Sequence, residues 1–392
     1  MNDRAQGKIV CLTNIFDQNY HNVRGEDVDR QLTTPFRRDL FRCLELASGR
    51  EVTLLSSPPK AAKRRLGRWL SPLETKFSGH RQLFCANWDI PKLRIPLSWI
   101  FYARHVLRHV HSGDIVLIDN YELIYIIAAR ILNWRRRVNF LLVYLDGKHL
   151  IDHGWSRVLS GLAEMWGRPL FSAACISNPT LAERLPRSLP TALVPGFLPD
   201  PLPSRPTMED RHVRLLYTGT LARSHGIDLL LKSIKHLPKQ GWHLTIAGRG
   251  PLAEEVIRAA RDPAWQDRLT YLEPMPSDAF EQLLRANHVG LNCQRPSDPI
   301  SAVTFPSKVF TYIAAGLVVV SSRASNVAAI CGDACQYFES EDPTALAQTI
   351  QNVIKNYATL SQHLTNTETI QVYTLNRSVD RLQKLLLAGN ML

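Results

Sequence analysis

The side chain of this sequence best suited to binding a phosphate-bearing molecule is Lys308, within the stretch 303–322. Pro306 is pre-shaped for a first helical turn, and Ser307 or Thr304 would cap that turn. The predicted helix ends before an unbroken apolar run, which is typical of a buried parallel strand. A helix start with free amide groups and a lysine one turn in suits a diphosphate. An ordinary βα unit with a surface lysine has the same local pattern, so both interpretations stay open.

Polar residues also follow two predicted strands in the first half of the chain, at 114–118 and 138–145. Asp119 comes directly after the first strand, and Asp146 and His149 follow the second. The carboxyl ends of parallel strands line the ligand crevice of open α/β sheets, so these residues are candidates for acceptor binding or a general base. An aspartate that only caps the next helix is the alternative.

Strands and helices alternate along the chain, which predicts parallel sheets with helices on both faces, an α/β fold. Predicted strands span 8–13, 51–55, 114–118, 138–145, 174–178, 192–194, 213–217, 242–247, 269–272, 289–292 and 317–320. Predicted helices span 35–47, 227–237, 252–260, 278–286, 343–355 and 377–387. The chain is long enough for two domains, and the proline-rich stretch 195–206 is the clearest linker. The loop at 14–30 lacks the GxGxxG spacing of a dinucleotide site.

The composition, with 45% apolar and 21% charged residues, is that of a globular protein. No uncharged apolar run reaches the roughly 18 residues of a membrane span. The first residues lack the sections of a signal peptide. Seven scattered cysteines indicate reduced, buried thiols and a cytoplasmic location. Histidines with metal-ligand spacing are missing around Cys331 and Cys335, so neither a metal nor another cofactor is expected.

The positive charge of the chain is concentrated in its first half. Residues 1–198 hold 28 Lys and Arg against 17 Asp and Glu, a net charge of +11, whereas residues 199–392 hold 19 against 18. The first half should therefore contact an anionic partner. Nucleic acid is not the predicted partner, because the basic residues are not interleaved with aromatic residues in any recognisable module.

A basic amphipathic segment at 59–73 instead indicates contact with an anionic membrane surface. The residues of this predicted membrane or acceptor site are Lys63, Arg64, Arg65, Arg68 and Trp69. A second segment of the same character spans 91–111. For both segments, a solvated helix that packs by its apolar stripe remains the alternative.

Motifs in the second half occur in a specific order: YTGTL at 217–221, IAGRGP at 246–251, FPSK at 305–308 and YIAAG at 312–316. With two Rossmann-like halves and a proline-rich hinge, the chain resembles glycosyltransferases of the GT-B fold, close to the retaining family 4 group (glycosyl transferases group 1). The resemblance implies an α/β fold with two Rossmann-like domains facing each other across a cleft. It also implies a glycosyltransferase activity of class EC 2.4.

By this resemblance, residues 1–198 form an acceptor-binding domain, onto which a C-terminal helix at 376–392 crosses back, and residues 199–375 bind a nucleotide-sugar donor. Helix amides and cations can stabilise a departing nucleoside diphosphate without a metal. The implied ligands of the diphosphate are Gly219, Thr220, Arg223 and Lys308. The turns at Gly248 and Met275 would flank the base, and the amides at 305–307 would meet the phosphate or the sugar. The implied donor-binding residues also include His225, Phe305, Pro306, Ser307 and Thr311.

The chain departs from the family pattern at three positions. His225 stands where the family usually has a lysine, and Val303 and Thr311 stand where it has two glutamates that contact the sugar and the nucleotide ribose. The donor sugar and the stereochemistry therefore stay open. An inverting glucuronosyltransferase-like enzyme and an inactive GT-B interaction protein are alternatives, as is a sugar-nucleotide epimerase, which would leave the basic half unexplained.

From these observations we expect a cytoplasmic glycosyltransferase, peripheral at the inner membrane face. It would move a sugar from a nucleotide-sugar to a lipid-linked or polysaccharide acceptor in cell-surface glycan biosynthesis. A retaining reaction needs little help from a protein base, whereas an inverting one would use Asp146 or His149 to deprotonate the acceptor hydroxyl.

Overall fold

The structure is a computed structural model. It describes residues 7–15, 20, 35–58, 69–88, 90, 93–147, 154–203, 212–265, 267–363 and 368–392. The chain divides into two compact units. Unit 1 comprises Met1–Val194 together with Ser378–Leu392, and unit 2 comprises Pro195–Arg377.

Strands and helices alternate through both units. The strands are β1 Ile9–Thr13, β2 Val52–Ser56, β3 Trp69–Leu70, β4 Leu73–Phe77, β5 His80–Phe84, β6 Asn87–Trp88, β7 Ile115–Asp119, β8 Asn139–Tyr144, β9 Phe171–Ile176, β10 Thr191–Leu193, β11 Val213–Thr220, β12 Trp242–Arg249, β13 Leu269–Leu272, β14 Val289–Asn292, β15 Val318–Ser322 and β16 Cys335–Phe338. The helices are α1 Pro35–Ser48, α2 Arg94–His109, α3 Leu123–Arg135, α4 Gly154–Gly167, α5 Pro179–Ala182, α6 Ile227–Ser233, α7 Ala253–Arg261, α8 Ser277–Arg285, α9 Ile300–Val303, α10 Lys308–Ala314, α11 Val327–Cys331, α12 Pro343–His363, α13 Glu368–Gln371 and α14 Leu375–Ala388.

Unit 1 is built on an eight-stranded sheet in the order β10-β9-β8-β7-β1-β2-β5-β4. Neighbouring strands are parallel except β4, which is antiparallel to β5. Every residue of β1, β2 and β7 is buried, as expected for parallel strands covered on both faces. The strand order reverses between β1 and β7, so their carboxyl ends form the switch point of this unit.

Unit 2 contains a six-stranded, wholly parallel sheet in the order β13-β12-β11-β14-β15-β16. In chain order within the unit this is 3-2-1-4-5-6, the arrangement of a Rossmann fold. The switch point lies between β11 and β14. The predicted fold class, α/β with two Rossmann-like parallel sheets, is confirmed.

Several elements differ from the predictions. Helices α3 and α4, strand β16 and the β4–β5 pair were not predicted, and the part of 59–73 that the structure describes is not helical. Trp69–Leu70 instead pairs antiparallel with Asn87–Trp88, and β4 begins at Leu73. The tryptophan pair across these strands, with ring centroids 6.2 Å apart, stabilises the extended conformation locally.

The C-terminal helix α14 leaves unit 2 and joins unit 1 from Ser378 onward. Arg381 donates a hydrogen bond from Nη1 to the Leu193 carbonyl (3.0 Å), and the side-chain amide of Asn139 donates to the Asn390 carbonyl (2.9 Å). The last residues of the chain are thereby part of the first sheet's packing.

Candidate functional site

The carboxyl ends of β11 and β12 form two loops that glycine residues hold closely together. Gly219 and Gly248 have φ angles of 120° and 154°, a region that favours glycine. A Cβ atom on Gly248 would lie 1.9 Å from the Gly219 carbonyl oxygen, so no other residue fits there. The Leu221 amide donates to the Arg249 carbonyl (2.9 Å) and ties the two loops together. Gly219 and Thr220 remain exposed at the strand end, where a ligand can approach the backbone.

Helix α10 is attached to the end of β11 by a buried tyrosine. The Thr218 amide donates to the Tyr312 hydroxyl oxygen (2.8 Å), and the Thr218 hydroxyl lies 3.1 Å from the same oxygen. The Tyr312 ring packs over Gly290 of β14, where a Cβ would come within 2.3 Å of the ring. These contacts span β11, β14 and α10, and they place the first residue of α10, Lys308, beside the switch point.

The ammonium group of Lys308 is buried but finds no hydrogen-bond partner among the described residues. Its Nζ lies 3.8 Å from the centroid of the Tyr217 ring and 3.4 Å from where a Cβ would stand on Gly219. Burial lowers the pKa of Lys308 to about 7, against a weak opposing effect of Cys293. A desolvated cation beside an open glycine loop is the arrangement that an anionic ligand would complete.

The start of α10 differs in detail from the prediction. The helix has seven residues, and neither predicted cap operates, because Ser307 makes no capping bond and the Thr304 hydroxyl donates to the Ile300 carbonyl (2.9 Å). Pro306 does open the first turn, since its carbonyl accepts from the Val309 amide (3.0 Å). The Phe305 side chain is buried and packs edge-on against the Phe310 ring, with 5.6 Å between the ring centroids. Only the Phe305 backbone is therefore available to a ligand.

The loop after β11, with Arg223 and His225, is held by an arginine that sequence reasoning missed. Arg295 forms ion pairs with Asp228 (2.8 Å) and Glu341 (2.7 Å), and its Nε donates to the Arg223 carbonyl (3.1 Å). Glu341, Asp228 and Arg223 lie 46, 67 and 72 residues from Arg295 along the chain, so no local pattern identifies this residue. The Arg223 side chain is exposed, whereas the His225 ring lies 3.0 Å from the Ser224 hydroxyl.

The two positions that depart from the family's glutamates present no carboxylate. Val303 is buried at the end of α9. The Thr311 hydroxyl donates to the Ser307 carbonyl within α10 (3.2 Å). Met275 is half-buried in the turn after β13. The predicted donor-binding residues therefore lie at the carboxyl ends of β11 and β12, on the loops after β11 and β13, and in α10 with the segment that precedes it.

In unit 1 the switch point between β1 and β7 carries a partly buried ion pair. Asp119, the last residue of β7, accepts hydrogen bonds from Arg37 of α1, with 3.0 Å between Nε and Oδ2. Burial by itself lowers the pKa of Arg37. Asp119 raises that pKa, as Cys11 and Asp146 do more weakly, and the net result is a raised pKa. Because its carboxylate is held by Arg37, Asp119 is poorly suited to be a general base.

Asp146 lies half-buried just beyond β8, and the Asn120 side chain fixes its backbone. Asn120 has a left-handed conformation, with φ of 55°, and its Oδ1 accepts from the amides of Leu145 (2.9 Å) and Asp146 (3.0 Å). The Ser177 hydroxyl donates to the Leu145 carbonyl (2.7 Å). The ends of β7, β8 and β9 are thus linked.

Other predicted residues lie partly outside the described part of the chain. His149, Lys63, Arg64, Arg65 and Arg68 fall outside it. Trp69 is half-exposed and packs edge-on against Trp88 and Phe101. All seven cysteines are buried, and none of them forms a disulfide. In the described ranges, no group of three or more His, Cys, Asp or Glu side chains is arranged to bind a metal ion.

Comparison with known proteins connects this geometry to a family. Residues 212–356 match the family model of Glycosyl transferases group 1. No curated protein sequence matches the chain. The part of the chain that the structure describes contains no helix both long and apolar enough to cross a membrane.

Solved structures share the fold over nearly the whole chain. Anabaena Alr3699/HepE in complex with UDP is 13% identical with a TM-score of 0.67, covering 97% of this chain and 100% of that one. Sucrose-phosphate synthase from Thermosynechococcus elongatus is 15% identical with a TM-score of 0.63, covering 98% and 96%. The lipopolysaccharide outer core galactosyltransferase WaaB is 13% identical with a TM-score of 0.61, covering 97% and 99%.

Proposed function

We propose that this chain transfers a sugar from a nucleoside-diphosphate sugar to a lipid-linked or polysaccharide acceptor. The chain is a glycosyltransferase with the GT-B fold, and its Glycosyl transferases group 1 domain spans residues 212–356. The domain confirms the predicted transferase class, EC 2.4. The donor, the acceptor and the role in cell-surface glycan biosynthesis belong to the proposal. The assignment to the retaining family 4 group also stays a prediction.

One observation carries the donor side of the proposal: the buried, unpartnered ammonium of Lys308. A buried cation with no counter-charge destabilises the apo protein. An anionic ligand bound next to Nζ would supply that counter-charge. Gly219 lies directly beside Nζ and has no side chain to keep a phosphate away. Solved structures of HepE with UDP, with UDP and glucose, and with UDP-glucose share the fold, which supports a nucleoside diphosphate as that ligand.

The proposed reaction breaks the bond between the sugar's anomeric carbon and the diphosphate oxygen, which keeps the electron pair. Lys308 would stabilise the negative charge that develops on this oxygen. The acceptor hydroxyl oxygen forms the new bond to the anomeric carbon and loses its proton. For an inverting reaction we propose Asp146 or His149 as the base that takes this proton. The ion pair with Arg37 makes Asp119 the weaker candidate.

On the acceptor side, we propose that unit 1 works at the cytoplasmic face of the inner membrane. The net charge of +11 over residues 1–198 supports an anionic surface as its partner. The half-exposed Trp69 supports an interfacial contact.

The donor proposal is tested by the change in melting temperature on adding UDP, GDP or ADP. A nucleoside diphosphate at a hundred times its Kd stabilises a protein by about 2.7 kcal/mol. We expect a clear rise in Tm with one of them, and its loss in Lys308→Ala. Lys355→Ala, which removes an exposed lysine on α12, is the matched control and should keep the full response. Equal responses in both variants would refute the role of Lys308.

A protein that binds the donor without transferring it is the second candidate, because Val303 and Thr311 leave two family carboxylates absent. Sugar-nucleotide hydrolysis, measured over a panel of UDP-, GDP- and ADP-sugars, separates the two candidates. Release of free nucleotide, lost in Lys308→Ala, supports the transferase. Tight nucleotide binding without turnover of any sugar nucleotide, with a membrane-derived acceptor mixture present, supports the interaction protein.

A further inference from the structure

Helix α4 is turned with its large apolar side chains toward solvent. It buries Ala163 and Gly167, and a Cβ on Gly167 would come within 2.8 Å of the Ile126 side chain of α3. Small residues therefore make its contact with unit 1. Trp155 is 79% exposed and Met165 60% exposed. In an ordinary surface helix the apolar stripe faces the core, so this orientation is reversed.

The exposed apolar residues of α4 form one continuous stripe. At 3.6 residues per turn they fall within an arc of about 120°. The stripe, called here the α4 face, consists of the exposed Trp155, Val158, Leu159, Met165 and Trp166 together with the half-buried Leu162. Soluble monomers rarely expose contiguous apolar surface of this kind unless it binds something.

Exposed arginines and a further tryptophan lie on the neighbouring helix α3. Arg130 donates from Nε to the Trp166 carbonyl (2.9 Å), and Trp134, one turn further along α3, is 82% exposed. Arg135 and Arg137 follow and are also exposed. Residues 123–145 include no Asp or Glu, so this part of the surface is uniformly positive.

We propose that the α4 face, with the arginines of α3, is the surface by which this protein lies on an anionic lipid bilayer. An apolar helix face with a tryptophan near each end, beside a basic cluster, has the composition of an interfacial helix. Anionic headgroups complement the arginines, and the indole rings of Trp155, Trp166 and Trp134 suit the headgroup level. The inference rests on the proposed function, in that it names where the membrane partner would bind.

A second copy of the chain is the competing occupant, and the charges disfavour it. A two-fold symmetric interface places the same patch on both sides. Both copies would then bring Arg130, Arg135 and Arg137 into one interface, with no acidic residue from 123–145 to pair with them. Juxtaposed like charges weaken such an interface.

The test is co-sedimentation of the full chain with vesicles of phosphatidylcholine alone or mixed with phosphatidylglycerol. We expect binding to the anionic vesicles and its loss in the triple variant Trp155→Ser, Leu159→Ser, Trp166→Ser. Exchanging Arg135 and Arg137 for Gln should weaken binding about 25-fold, about fivefold for each charge. Leu46→Ser is the matched control, because Leu46 is 65% exposed on α1. Helix α1 connects β1 to β2, whereas α3 connects β7 to β8, which is the opposite direction along the sheet. Because both crossovers are right-handed, α1 and α3 lie on opposite faces of the sheet.

The measurements keep this inference separate from the donor proposal. The triple variant should melt at the wild-type temperature and keep the wild-type response to nucleoside diphosphates. Vesicle binding that survives in the triple variant overturns the inference and transfers the membrane contact to another surface, such as residues 59–73. No binding to either vesicle type also overturns it. A concentration-dependent dimer in sedimentation velocity that the triple variant abolishes, without vesicle binding, would identify a second copy as the occupant.

Discussion

Replacing Lys308 by methionine should make the apo protein more stable. Methionine has a similar length, and its thioether can rest on the Tyr217 ring where Nζ now lies. Burial lowers the lysine pKa from 10.5 to about 7, which at 1.36 kcal/mol per pH unit is about 5 kcal/mol against the charged form. Attraction between the ammonium and the ring returns about 2 kcal/mol. We therefore expect Lys308→Met to gain about 3 kcal/mol at neutral or lower pH.

The gain has a defined pH dependence. The native pKa of Lys308 is depressed, so between pH 7 and 10.5 the unfolded chain holds a proton that the native chain lacks. The contribution of Lys308 to wild-type stability consequently rises with pH over this interval, and the advantage of methionine fades. Burial raises the pKa of Cys293 to about 12 and that of Tyr217 well above its ordinary value. Both groups are present in the two proteins, so their own effect on stability above pH 9 cancels when Lys308→Met is compared with wild type.

The assay is the melting temperature of unit 2 in the full chain, measured for both proteins from pH 6 to pH 10. For a unit of this size, about 3 kcal/mol corresponds to a rise of roughly 6 to 12 °C. Lys355→Met, the same exchange at an exposed position, should stay within about 0.5 kcal/mol of wild type. A Lys308→Met protein that is less stable than wild type at pH 6 would refute the reasoning, because it would mean that the ammonium is satisfied in the apo state.

Two further outcomes follow from the same structure. Binding of a nucleoside diphosphate should weaken as the pH rises above 7, because the ligand needs the protonated form of Lys308. Isothermal titration calorimetry should show proton uptake on binding. A Kd that does not change from pH 7 to pH 9 would contradict this prediction. Asp119→Asn should destabilise unit 1 by about 1.5 to 3 kcal/mol, because it removes the counter-charge of the partly buried Arg37 guanidinium. The double variant with Arg37→Met should recover most of that loss in urea unfolding, and failure to recover would mean that the two residues do not act as a pair.

The sequence alone was sufficient for the fold class and for the placement of the loops. Unbroken apolar runs such as 317–320 are typical of buried strands, and their alternation with amphipathic helices predicts parallel sheets. Strands 269–272 and 289–292 have the predicted bounds. Gly219 and Gly248 were identified through the family resemblance, and the structure gives the physical reason for glycine there, because both have a positive φ at a strand end.

Only the tertiary structure decided how charged side chains are paired. Arg37 and Asp119 are 82 residues apart, and Arg295 joins Asp228 to Glu341 across similar distances in sequence. Local patterns carry no information about such pairs, because folding brings the partners together through the sheet order. The desolvation of Lys308 is of the same kind, since it depends on Tyr217 and on the attachment of α10 to β11.

Helix α4 was not predicted, although its apolar residues recur at helical spacing in the sequence, and that spacing does not determine which way the stripe faces. Periodicity identifies a stripe on a helix, whereas its direction depends on what the opposite side of the helix packs against. Here Ala163 and Gly167 allow close contact with α3, and the large side chains are left outward. The same physical reason applies to Lys308: the chain supplies the group, and the surrounding packing decides whether that group meets water, protein or a ligand.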